Sequence, residues 1–186
     1  MTTSDAPLSV RLQEVADYLD HERAELLSFV ESVPENLLHK RPAPSRWSVA
    51  ENLEHLSITE DSCGRVFSTL VKQAKAEGAV ADMESTSLLH CLDEYDLDGE
   101  NQKLIAPDRV LPAGTMNVPE SLERLSVARS RLKQAMHGAN GLDLSGVSLP
   151  HPLLGPFNGY QWMVLVGRHE LRHLRQMRNT MQELAR

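Results

Sequence analysis

The chain has 186 residues, 19 Lys+Arg against 26 Asp+Glu for a formal net charge of −7, and 41% hydrophobic residues. These values fit one ordinary domain over 1–186 and exclude wholesale disorder and collagen-like architecture. The acidic balance also argues against nucleic acid as a partner, because tracking a phosphate backbone needs clustered Lys and Arg.

Aromatic residues make up only 4% of the chain, which suits packed helices better than a β-sandwich. The two cysteines, Cys63 and Cys91, cannot build a disulfide framework. The start MTTSDAPLSV lacks the basic region and apolar run of a signal peptide. No stretch approaches the roughly 18 apolar residues of a membrane span. The expected setting is therefore a reducing cytoplasm, with no membrane partner.

Leu12, Val15, Ala16, Leu19, Leu26, Val30 and Val33 recur at helical steps and predict an amphipathic helix ending near Pro34. After a proline-broken stretch, Ser48 with Glu51 three residues on has the pattern of a capping box. It opens a second helix, with Val49, Leu56, Cys63, Val66, Phe67 and Leu70 on its apolar side, running to about Glu77 before Gly78. From Ala79 to Met116 the period dissolves, and so long a connection is expected to hold short helical or extended pieces. Asn117 and Glu120 cap a third helix, striped by Leu122, Leu125, Leu132 and Met136 and stopped by Gly138. Gly141 to Pro156 reads as a loop. A fourth helix from Phe157 to about Leu184 buries Met163, Val166, Leu174, Met177 and Met181. The expectation is an all-α, four-helix bundle with a long crossover between the second and third helices, whose sites lie on inward faces.

The sharpest local feature is His169-Glu170-Leu171-Arg172-His173. Histidines at i and i+4 project from one side of a helix, close enough to hold one metal ion. A third ligand should come from a facing helix. The candidate is His55, at the border of the second apolar stripe with Asn52 and Thr59 beside it. The alternative is that these are structural or surface histidines. The segment also matches the zinc-protease pattern H-E-x-x-H, but no further ligand motif follows and a compact bundle offers no evident cleft.

Glu170 falls by helical phase among Met163, Val166, Leu174 and Met177, so its carboxylate should be paired. It either serves the site, as a general base or by supporting a histidine, or forms a salt bridge to an arginine of another helix. Cys63 is expected to pack. Trp47 anchors a helix start, Trp162 lines the pocket or packs, and His151 shapes the loop before Pro152. His21, His39 and His137 are expected at the surface, and residues 93–100 in a solvated loop. His90 and Cys91 receive no role.

The segments Arg41-Pro42-Ala43-Pro44-Ser45-Arg46-Trp47-Ser48-Val49-Ala50-Glu51-Asn52-Leu53-Glu54-His55-Leu56 and His151-Pro152-Leu153-Leu154-Gly155-Pro156, followed by His169 to Met177, resemble the DinB-like family of DNA-damage-inducible four-helix metalloproteins. The resemblance runs from Leu8 to the C-terminus. It implies that His55, His169 and His173 form a three-histidine site for a divalent metal such as zinc, nickel or iron, with open positions for water. It further implies a small-molecule substrate, acted on by a thiol-dependent transferase using a low-molecular-weight thiol or by a metal-dependent hydrolase, and a homodimer. Other readings are a non-catalytic metal- or ligand-binding stress protein, or a structural bundle whose histidines merely pack.

Overall fold

The computed structural model describes residues 7–95, 97 and 106–186. Among them lie four α-helices: α1 (Val10–Ser32), α2 (Val49–Ala76), α3 (Val118–Ala139) and α4 (Gly159–Leu184). Their starts are set by side chains that satisfy otherwise orphaned backbone N–H groups. The Ser48 Oγ accepts from the Glu51 N–H, and the Glu51 carboxylate accepts from the Ser48 N–H. Asn117 and Glu120 close the same reciprocal pair at α3. A third capping box, Asn158 with Gln161, starts α4 two residues after the predicted Phe157.

Two apolar clusters fill the bundle. One joins Leu12, Leu19, Phe67, Leu70, Leu132, Met136, Met163 and Val166, and the other joins Leu26, Val30, Leu53, Leu56, Leu125, Leu174 and Met177. The first therefore takes the N-terminal halves of α1 and α4 and the C-terminal halves of α2 and α3, and the second takes the opposite halves. It follows that α1 runs parallel to α4 and α2 parallel to α3, which is why α2 and α3 need a long crossover rather than a tight turn. Two glycines of α4 allow close approach: a Cβ on Gly167 would meet the Tyr18 ring of α1 at 2.3 Å, and one on Gly159 would meet the Leu144 side chain at 2.8 Å.

Between the clusters lies a polar layer to which each helix contributes one charge: Arg23, Glu60, Arg129 and Glu170. Arg23 donates to Glu170 Oε1 and to Glu60 Oε2, both at 2.5 Å. Arg129 donates to Glu60 Oε1 at 2.7 Å and to Glu170 Oε2 at 2.6 Å. A third Arg129 N–H reaches the Leu19 carbonyl. Burial pushes the Glu60 carboxyl up, against the pull of Arg129 and Arg23.

The stretch read as a loop from Gly141 to Pro156 instead holds most of an antiparallel hairpin, β1 (Ser148–His151) with β2 (Gly155–Asn158). Prolines 150 and 156 face each other across it, and a two-stranded ribbon tolerates this because its outer edges need no ladder donors. The crossover holds the expected short pieces: a bridge from Ala81 to Leu142 and a 3-10 turn at Asp108–Val110. It is tied down at both ends. Asp82 receives Arg11 at 2.6 Å and the Tyr160 hydroxyl at 2.8 Å, while the buried Glu54 carboxylate accepts the N–H groups of Ala113 and Gly114. Of the acidic 93–100 region, residues 96 and 98–100 lie outside the described residues. No helix among the described residues is long and apolar enough to cross a membrane.

Candidate metal centre

The facing helices α2 and α4 bring His55, His169 and His173 together. The Nε2 of His169 lies 3.2 Å from the Nε2 of His55 and 3.2 Å from that of His173. One ligand atom from each of the three falls within 4.8 Å of the others. Two nitrogens bound to one ion at about 2.1 Å, at angles between 90° and 110°, are about 3.0–3.4 Å apart, so the spacing fits a shared cation.

The remaining ring nitrogens are anchored elsewhere, which decides where the protons sit. The His55 Nδ1–H donates to the Val110 carbonyl at 2.7 Å. The His173 Nδ1–H donates to the Asn52 Oδ1 at 2.8 Å, and the Asn52 amide is itself oriented because its Nδ2 donates to the Ser48 carbonyl at 2.8 Å. Both imidazoles are therefore fixed in the tautomer whose Nε2 lone pair points inward. Thr59 adds a longer contact of 3.5 Å to the His169 Nδ1. Trp47, expected only to anchor a helix start, also covers the site, with its ring 4.9 Å from that of His55 and stacked 6.0 Å from that of His173.

Burial lowers the affinity of all three rings for a proton. His55 is shifted down by desolvation, and His169 and His173 well below the ordinary histidine range by desolvation and by their neighbours' charge. Neutral imidazoles whose ring nitrogens converge could hold a transition-metal cation.

Beside the centre a cavity of about 80 Å³ is lined by Leu56, Thr59, Glu60, Cys63, His151, Leu165, Val166, His169 and Glu170. Glu170, the catalytic candidate, reaches this wall with both carboxylate oxygens taken by Arg23 and Arg129, the ion pairing that its place on an apolar face also allowed. Cys63 is half-buried against the cavity, its thiol pushed up to about 12 by burial and by the Glu60 charge, so it stays protonated at neutral pH. Trp162 packs rather than lining the cavity, donating from Nε1 to the Leu149 carbonyl and meeting Phe157 edge-on. His21, His39 and His137 are exposed, as is His90, which pairs with Asp93.

Sequence reasoning anticipated that the three histidines come together and set Asn52 beside His55, but it gave Asn52 no bond to His173 and passed over Val110. Val110 acts through a backbone carbonyl and carried no sequence signal.

The structure is thus a four-helix bundle whose three imidazoles, converging between α2 and α4, could hold a metal ion. The sequence model of the DinB superfamily matches residues 18–177, and the chain belongs to that superfamily. It is 27% identical over 165 residues to the uncharacterized protein YuaE of Bacillus subtilis (strain 168), covering 88% of this chain and 95% of that one. The crystal structure of TT2238, a four-helix bundle protein, superposes with a TM-score of 0.62 at 20% identity, covering 90% of this chain and 98% of that one. That likeness speaks to the fold alone.

Proposed function

We propose that the protein holds a divalent transition-metal ion, zinc, nickel or iron, through His55, His169 and His173, and uses it to transfer a low-molecular-weight thiol to or from a small molecule. The observation that supports the centre is the pair of pinned tautomers, which turns the Nε2 lone pairs of His55 and His173 toward the His169 Nε2, 3.2 Å from each. When bound, the ion would supply Lewis acidity, lowering the pKa of a coordinated thiol or water so that its proton passes to solvent.

The chain's own residues favour a thiol over water. The carboxylates on the cavity wall, Glu60 and Glu170, are both spent in ion pairs, so neither is free as a strong base. A thiol starts within about two units of neutrality and needs less help than water. Hydrolysis is thus the less favoured chemistry. The same pairing of both wall carboxylates also supports a second reading, a non-catalytic metal-binding stress protein.

Reconstitution with zinc tests the centre: one equivalent is expected in the wild type and none in His173→Ala at unchanged helical content. Loaded protein that turns over no thiol-plus-electrophile pair or hydrolysable ester would favour the second reading. The setting proposed is a reducing cytoplasm, consistent with two free thiols, and the assembly a homodimer through helix faces. Light scattering with and without reductant should give the same dimer mass, and a monomer at micromolar concentration removes that assembly.

A further inference from the structure

We propose that His151 is a ligand-binding residue of the cavity, donating its Nε2–H to an anionic group of the small molecule that docks beside the metal centre. The proposal rests on the three-histidine reading and adds a fourth histidine that does not bind the ion, since it lies outside the cluster of ligand atoms formed by His55, His169 and His173.

Three observations carry it. His151, at the end of β1, lines the same cavity as His169, so it borders the space next to the three-histidine cluster. Its tautomer is set by the backbone: the Leu153 N–H donates to Nδ1 at 3.3 Å, which makes Nδ1 an acceptor and leaves the ring proton on Nε2. Its plane is held too, stacked on Phe157 at 5.2 Å and tilted against Trp162 at 5.4 Å, so the donor is presented at little further entropic cost.

The charge of the walls selects an anion. Glu60 and Glu170 are neutralised by Arg23 and Arg129. Exposed Arg109, on the 3-10 turn, lies near enough to His151 and Cys63 for its positive charge to bear on both. With a divalent ion in place the cavity is net positive and lined mainly by apolar groups, where a hydrogen bond to an anion is strong.

The test uses cobalt-loaded protein with azide as the anion, read from the cobalt absorption bands. In His151→Phe, which keeps the stacking and removes the donor, cobalt affinity should stay unchanged and azide affinity should fall about 10-fold or more. His151→Gln, retaining an N–H donor, should lose less. In zinc-loaded wild type the His151 Nε2–H proton resonance should move downfield on azide addition, a measurement that stands even if a variant fails to fold. Azide affinity unchanged in His151→Phe, or an unmoved resonance, overturns the proposal, and so does loss of cobalt binding in a folded His151→Phe. Wild-type protein that takes up no cobalt overturns the metal reading as well, whereas uptake with azide insensitive to His151 overturns the role of His151 alone.

Discussion

Two polar clusters are buried side by side in this bundle, and they are built on opposite plans. The Arg23, Glu60, Arg129 and Glu170 ring balances two cations with two anions, and each carboxylate oxygen has its guanidinium donor. In the imidazole triad His55 and His173 turn Nε2 lone pairs toward His169, held there by Val110 and Asn52. A closed network is finished by folding, while converging imidazoles could still take up a cation. Consecutive residues of α4, His169 and Glu170, belong one to each cluster, so a turn of about 100° separates scaffold from site.

The ring should give the largest effect when broken. Glu170→Gln leaves two buried guanidiniums short of one negative charge, and a loss of about 3 to 5 kcal/mol is expected. For a chain of this size that lowers the melting temperature by about 10 °C, measurable by calorimetry. Metal affinity of the folded variant should not change. An unchanged melting curve with metal affinity down about 10- to 100-fold would move Glu170 out of the scaffold and into the site.

His173→Ala tests the other cluster. Zinc binding should be lost while the metal-free protein melts within a few degrees of wild type, because a neutral ring is removed rather than one partner of a charge pair. A variant that unfolds outright would mean the triad is structural.

Asn52→Ala should have an intermediate effect, weakening zinc about 10- to 100-fold by freeing the His173 tautomer. Titration against a chromophoric chelator measures it, and an effect no larger than that of a surface substitution would show that the pinned tautomer does not matter.

The smallest effect concerns pH. The triad's proton affinities are depressed in the fold, whereas unfolded histidines titrate near pH 6.5. The unfolded chain therefore binds protons first as pH falls, and the stability owed to neutral burial, full above about pH 6.5, is lost progressively below it. Chelator-treated wild type should melt lower at pH 5 than at pH 7.5, by a margin that shrinks in His173→Ala. An equal margin in both would place the pH sensitivity elsewhere.

The contrast also explains what was legible beforehand. The capping boxes at Ser48 and Asn117 and the His169, His173 pair are short-range patterns, and all can be read from spacing. The ring is not short-range: Arg23 and Arg129 look like surface charges unless one notices that they interrupt apolar stripes, between Leu19 and Leu26 and between Leu125 and Leu132. Glu170 could be placed on an apolar face, but its partners on α1 and α3 exist only in the tertiary structure. The hairpin escaped because Pro150 and Pro156 break the usual strand signature.

The bond from His55 to the Val110 carbonyl has a consequence for how this protein can change. A peptide oxygen comes with every residue type, so the crossover can exchange side chains at position 110 and still hold the Nδ1 edge of the His55 imidazole in place, provided the path of its backbone survives. Substitution there should be cheap for the centre and rerouting expensive: the anchors at Glu54, not the identity of residue 110, guard the orientation of His55.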